Sequence, residues 1–275
     1  MKPLQRYGLG LLAILVTGIL FLVPFAFIIQ MAFKDQKQAA LLDFSWPQGN
    51  YLWTNIVEVA STRNWMLITA FINSTILTVA GVTLLVILSA LVGFVLQRRK
   101  STFNTAIEFL ILAGLMIPPA IVPTIWVLQG MGLFGRLHGL ILIEVAYHLS
   151  FCVLLYKAFI ATIPRELDEA AIIDGARPLD VFFRVILPLL WPVTVTVIVV
   201  QTVTIFNDFT NPLYYLPGNQ NATVQLTLYN FQSQFSTSYN LLFTNILLIT
   251  VPPLIVFLLF NRQIVAGMTA GAVKG

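Results

Sequence analysis

A chain of 275 residues that is 58% hydrophobic and 9% charged, with a net charge of +4, lies outside the range of soluble globular domains and reads as an integral membrane protein. Its basic residues fall in short clusters beside apolar runs, with no basic face interleaved with aromatics, which argues against a nucleic-acid partner. The one cysteine, Cys152, excludes an intrachain disulfide, and His138 and His148 lack a second ligand at metal spacing, so no metal site is expected.

The chain opens with Lys2 and Arg6 and then an apolar run, Leu9 to Phe33, which is longer than the ~7 to 15 residues of a signal-peptide core. No small-residue cleavage site follows, so a retained transmembrane helix is expected. A helix needs about 20 apolar residues to cross the hydrocarbon core. Six stretches meet that length, roughly 9–33, 72–96, 105–128, 137–160, 189–209 and 241–260. Strict period-2 alternation is absent and backbone groups must pair in lipid, so helices are preferred to a barrel. The expected fold is all-α with six transmembrane helices.

Lys and Arg divide unevenly between the connecting segments. Eleven fall on one side, namely Lys2, Arg6, Arg98, Arg99, Lys100, Lys157, Arg165, Arg177, Arg184, Arg262 and Lys274; four fall on the other, Lys34, Lys37, Arg63 and Arg136. The positive-inside rule makes both termini cytoplasmic. Of the outward segments, 34–71 carries Trp46, Trp53 and Trp65, either interfacial anchors or a docking surface for an external partner. Thr210 to Asn240 has no charged residue and is rich in Asn, Gln, Ser, Thr and Tyr, a content that suits neutral polyhydroxylated ligands and ordinary loops alike.

Ionisable groups within a span are functional candidates because they are costly there. Glu108 and Asp208 lie near span ends, where the cost is smaller, whereas Glu144 sits one to two turns into its span. It can pair with His148 at i+4 or face a polar path. Gln201, Thr204 and Asp208 recur along one side at near-helical spacing, with Asn207 beside them; they line a pore or hydrogen-bond between helices. Pro118, Pro119 and Pro123 in the third span, and Pro252 and Pro253 in the sixth, break helical hydrogen bonding and produce kinks, with or without a gating role.

Between the fourth and fifth spans lies "DEAAIIDGARPLDVFFRVILPLLWP", too polar to cross a membrane. Pro164 suits a first helical position with Thr162 as a nearby cap, and Glu166, Asp168 and Glu169 follow where the helix dipole favours negative charge. Leu167, Ala170, Ala171 and Asp174 share a face, the alanines small enough for close approach of another surface. Gly175 supplies the residue free to take positive φ that ends the helix, and Pro178 restarts a second one. An interfacial helix lying on the membrane is the plainer reading. Against it, five carboxylates (Glu166, Asp168, Glu169, Asp174, Asp180) face three arginines (Arg165, Arg177, Arg184), and an anionic leaflet repels that excess. A protein partner fits better.

This stretch resembles the EAA loop of permease subunits of bacterial ATP-binding-cassette importers, with Glu169-Ala170-Ala171, Asp174-Gly175-Ala176, Phe182, Arg184 and Leu187-Pro188 at the family spacing. The tail "GMTAGAVKG", Gly267 to Gly275, is similar to that of carbohydrate permeases of the smaller maltose-permease type. Pro178 is a slight departure from the pattern. The resemblance implies a type I importer permease fold with a cytoplasmic N-terminus, first transmembrane helix and external segment in 1–71, a transmembrane core 72–261 containing the EAA loop 164–190, and a cytoplasmic tail 262–275. It implies a coupling helix in which Glu169 pairs with a basic group in a cleft of an ATPase subunit, Ala170 and Ala171 allow close packing, Asp174 belongs to the same motif, and Gly175 forms the turn. It also implies a second, different permease subunit, two ATPase subunits that bind ATP and Mg, an external solute-binding protein and a carbohydrate substrate, all at a bacterial cytoplasmic membrane.

The chain itself offers no P-loop: only Lys100 precedes Ser or Thr, and Arg99 stands where glycine is required. No nucleophile, base and orienter arrangement stands out, so no cofactor and no catalysis of its own are expected. Glycerol phosphate or a polyamine remain alternative solutes for the same architecture, and a membrane scaffold or enzyme the alternatives to transport.

Overall fold

The computed structural model describes residues 3–232 and 237–272, with the side chains of 10–232 and 237–260. The side chains of the topology signals Lys2, Arg6, Arg262 and Lys274, and those of the tail Gly267 to Gly275, lie outside these. The described chain is helical, with an isolated antiparallel bridge between Gln232 and Thr237.

Helix α1 (Pro3–Ala32) and the short α2 (Gln36–Ala39) precede α3 (Leu52–Arg98). The segment 34–71, expected to face outward, is thus largely helical. Helix α3 is broken at Thr62–Trp65, where Arg63, Asn64 and Trp65 all take left-handed φ values of 49°, 58° and 61°. Each such residue costs about 1 to 2 kcal/mol against the right-handed form, so the break is a strained turn rather than a gentle bend.

Among the described residues four helices are long and apolar enough to cross a membrane: Gly10–Ala32, Leu52–Arg98, Leu137–Ile160 (α6) and Tyr239–Phe260 within α12 (Tyr239–Ala272). The expected spans at 105–128 and 189–209 are not single helices. The first is α4 (Thr102–Met116) followed by α5 (Ile121–Gly130), parted where Pro118 and Pro119 hold Ile117 in the extended region. The second joins Pro178–Leu189 to Trp191–Phe206 (α10) through a 74° bend. Pro188 and Pro192 flank Leu190 there and remove the amide donors that would continue the helix. Pro252 and Pro253 lie inside α12 without ending it.

Two compact units divide the chain. In the first, Met1–Ala70 with Val224–Val251, buried amides satisfy backbone ends that lipid would not: Asn55 Nδ2 donates to Ala32 O at 2.9 Å and Lys34 O at 3.0 Å, and Asn240 Nδ2 donates to Asn55 Oδ1 at 2.9 Å. Lys34 is fully buried and bonds the Asp43 carboxylate at 3.0 Å, which closes the loop before α3.

The second unit, Phe71–Thr223 with Pro252–Gly275, holds a core around Leu85, Cys152, Tyr156, Phe182, Ile186 and Val197. Gly93 lets α3 approach α6 closely, since a Cβ there would stand 2.9 Å from Tyr156 Cβ and 3.1 Å from Lys157 N. Tyr156 Oη donates to Thr194 Oγ1 at 3.0 Å and so ties α6 to α10. This packing positions the polar connection between them.

Candidate functional site

Helix α7 (Glu166–Ile173) forms where expected, but it starts at Glu166 rather than Pro164. Arg165 occupies the N-cap without a side-chain hydrogen bond, and Thr162 instead donates to Phe159 O at 2.7 Å, completing the previous helix. The acidic first turn still faces the positive end of the dipole. At the other end Gly175 takes φ +87°, and Ala176 N returns to Ala171 O at 2.9 Å. Pro178 opens α8 (Pro178–Asp180), which continues as a π-helical turn, Val181–Ile186, and then α9 (Leu187–Leu189).

Which face α7 shows is set by one buried contact. Arg98, the last residue of α3, places Nε 2.6 Å from Asp168 Oδ2 and Nη2 3.3 Å from Oδ1, while Nη2 also donates to Ile163 O at 3.1 Å. Asp168 and Ala171 therefore turn inward, Ala171 packing against the core. The face read from spacing divides accordingly: Ala171 belongs to the inner side, whereas Glu169, Ala170, Asp174 and Gly175 are exposed together with Ile173, which is 85% exposed. Ile172 and Leu179 are exposed as well, at 58% and 66%, and several apolar side chains beside the carboxylates suit a protein contact better than water. Under the helix lies a cavity of about 410 Å³ bounded by Phe94, Arg98, Asp168, Glu169, Leu179 and Phe182.

A second polar cluster joins α6 to the segment after α10. Glu144 is fully buried; its Oε2 lies 3.4 Å from His148 Nε2, as the i+4 spacing suggested, and its Oε1 accepts from Asn211 Nδ2 at 3.2 Å. Asp208 lies against the same carboxyl and accepts from Thr210 N at 2.9 Å and Asn211 N at 3.3 Å, starting α11 (Thr210–Tyr215). Nearby, the hydroxyls of Tyr147 and Tyr215 are 2.9 Å apart.

The expected stripe of Gln201, Thr204 and Asp208 does not hold as one side. Helix α10 ends at Phe206, so the helical register stops short of Asp208. Gln201 is buried against the Cys152 thiol, while Thr204 is exposed and bonds back to Val200 O at 2.9 Å. Asn207 is exposed and donates to Val203 O at 2.9 Å. The structure thus gathers Glu144 and Asp208, leaves Thr204 and Asn207 on the surface, and puts Gln201 in the core.

Arg98 and Asn211 were missed as site residues. Arg98 carried a signal as the first of three basic residues at a span end, but that signal also reads as topology alone. Asn211 stands in a run of polar loop formers and carries none.

Among the described residues the chain is helical, with several helices apolar enough to cross a membrane and a polar helix pair between two of them, the makeup of a multi-pass membrane protein. The model of the binding-protein-dependent transport system inner membrane component family matches residues 85–270, and the chain belongs to that family. It is 33% identical over 209 residues to the melibiose/raffinose/stachyose import permease protein MelC of Bacillus subtilis (strain 168), covering 75% of this chain and 76% of that one. It is 31% identical to the probable starch degradation products transport system permease protein AmyC of Thermoanaerobacterium thermosulfurigenes, over 98% and 97% of the two chains. Its fold matches a chain of a bacterial ABC transporter involved in the import of the acidic polysaccharide alginate, with TM-score 0.82 and 18% identity over 95% of this chain and 98% of that one.

Proposed function

We propose that the chain is the permease subunit of a carbohydrate importer, one half of a translocation path that works with a second, different permease, two ATPase subunits and an external solute-binding protein. The relatives whose names specify melibiose, raffinose, stachyose and starch products support the substrate class, and the family's description supports the binding protein. Six crossings follow if α4 with α5 and the bent pair ending in α10 each count as one span beside the four long helices. Both termini and α7 then lie on the cytoplasmic side with eleven of the fifteen Lys and Arg.

The observation that carries this reading is the exposed face of α7, Glu169, Ala170, Ile173 and Asp174, on a helix fixed to the membrane core by the Arg98–Asp168 pair. Such a helix transmits force. ATP and Mg bound by the partner subunits draw them together, the seated coupling helix follows, and the path shifts between inward-facing and outward-facing populations. Glu169 supplies a carboxylate for a basic group of the ATPase, Ala170 allows close approach, and Gly175 sets the turn. On the other side of the chain, Glu144, Asp208, Thr204 and Asn207 contribute polar groups to the path, with Gln201 supporting α10 from behind.

Replacing Glu169 by Lys tests the reading. The variant reaches the membrane, loses the co-purifying ATPase and with it sugar-stimulated ATP hydrolysis, and abolishes uptake; uptake at the parent rate would remove α7 from the coupling role. A panel of neutral sugars, glycerol phosphate and polyamines in the stimulation assay identifies the solute class.

A further inference from the structure

Helix α3 ends at Arg98 and α4 begins at Thr102, so Arg99, Lys100 and Ser101 form a tight turn. Each neighbouring cation has a partner: Arg98 binds Asp168, Lys157 binds Glu108, and Arg165 donates to Gln97 O at 3.2 Å. The side chains of Arg99 and Lys100 are exposed and have no hydrogen bond or ion pair among the described residues, although the Arg99 backbone bonds Val95 O and the Asn104 amide. Ser101 Oγ accepts from Asn104 N at 3.1 Å, which leaves the amides of Thr102 and Phe103 without an acceptor among the described residues. No acidic side chain occupies the first turn of α4.

These groups border a cleft of about 1250 Å³ whose wall includes Arg99, Lys100, Ser101, Asn104, Phe109 and Leu110. Its carboxylate, Glu108, is neutralised by Lys157. Along α4 the surface turns apolar, with Phe103, Phe109 and Leu110 exposed at 73%, 70% and 66%. A basic rim continuous with an apolar wall at the end of a span matches a phosphate headgroup above acyl chains.

We infer that this cleft is a binding site for an anionic phospholipid, with Arg99, Lys100 and the amides of Thr102 and Phe103 on the phosphate and Phe109 and Leu110 along the chains. The inference rests on reading this end of the molecule as the cytoplasmic face, where anionic lipid and the coupling helix meet. A lipid held there steadies the turn directly after Arg98, which fixes α7.

The test uses the intact importer purified in mixed micelles of phosphatidylglycerol and phosphatidylcholine, with retained lipid counted by native mass spectrometry. Each basic residue near a lipid surface contributes about a fivefold preference, so with Arg99 and Lys100 the parent complex keeps phosphatidylglycerol over phosphatidylcholine by roughly twenty-five-fold. Arg99→Gln combined with Lys100→Gln brings the two lipids near parity, while Lys37→Gln on α2 changes nothing. Parity in the parent, or an unchanged preference in the double variant, overturns the site. Displacement of the lipid by equimolar inorganic phosphate overturns it in favour of a free-phosphate site, and a double variant that keeps its lipid but sheds the ATPase assigns the rim to a protein contact. If no ATPase accompanies the parent chain while the preference persists, the importer reading fails and the lipid site stands.

Discussion

Arg98 and Asp168, 70 residues apart in sequence, meet through two contacts, Nε to Oδ2 at 2.6 Å and Nη2 to Oδ1 at 3.3 Å, with side chains 9% and 13% exposed. This pair joins the end of a membrane span to a helix that shows no buried residue of its own. It decides which face of α7 is offered outward.

Breaking such a pair from one side leaves a nearly buried charge unmatched, which costs about 3 to 5 kcal/mol, whereas replacing both partners by apolar residues is far milder. Asp168→Asn is therefore expected to lower the thermal stability of the complex and to uncouple ATP hydrolysis from uptake. Arg98→Met with Asp168→Leu recovers most of the stability but not the coupling. A double-mutant cycle read by melting temperature and by uptake per ATP checks both; additive single effects would show that the pair transmits nothing.

Gly175 takes φ +87° with open space around its Cβ position, so substitution there is resisted by the backbone and not by packing. Gly175→Ala is expected to cost about 1 to 2 kcal/mol, and Gly175→Asn less, because Asn tolerates the left-handed region. Uptake should fall in the same order, as the turn sets where α8 leaves α7. Equal effects of Ala and Asn would mean that the positive φ is not what the motif requires.

The motif and the polar helix were legible in sequence because their signals are local: acidic first turn, Gly175, Pro178. The spans at 72–96, 137–160 and 241–260 were legible from apolar length. The divisions were not. Pro118 and Pro119 were visible, yet whether a proline bends a helix or ends it depends on neighbours that satisfy the freed carbonyls; α12 continues through Pro252 and Pro253 while α4 stops at Met116. Contacts across long separations left no trace either. Asn211 reaches Glu144 from 67 residues away, and the stripe from Gln201 to Asp208 assumed a helix that ends at Phe206.

In the loop before α3, Asp43 accepts from the Ser45 hydroxyl and the Lys34 ammonium, with the Ser45 amide also donating. The Ser45 hydroxyl first, and Lys34 next, hold its carboxyl down at about 2 against an ordinary 3.8. A depressed folded value stabilises the loop above the unfolded value, and that contribution is lost as pH falls from 3.8 through about 2. Protection of the amides of residues 43–48, measured as exchange relative to the intrinsic rate at each pH, is expected to hold at neutral pH and to fall across that acid window. Asp43→Asn should exchange faster at neutral pH and lose the acid dependence; a parent loop indifferent to acid would refute the assignment.

Among the described residues Asn211 is the one amide side chain that donates to the buried Glu144 carboxyl, so its removal exposes how that cluster is held together. Asn211→Ala leaves Oε1 of a fully buried acid without its donor, a loss of about 1 to 3 kcal/mol. Asn211→Asp is worse, since it adds a third carboxyl to the site where Asp208 already lies against Glu144. Glu144→Gln behaves differently: it keeps the shape, removes one carboxyl and is tolerated for folding, so any fall in uptake reflects the path itself. Melting of the purified complex and the rate of uptake, measured together on the three variants, separate support from transport. If Glu144→Gln transports at the parent rate while Asn211→Ala and Asn211→Asp lose stability, the cluster is a buried clasp between α6 and α11 and the path runs along Thr204 and Asn207 instead.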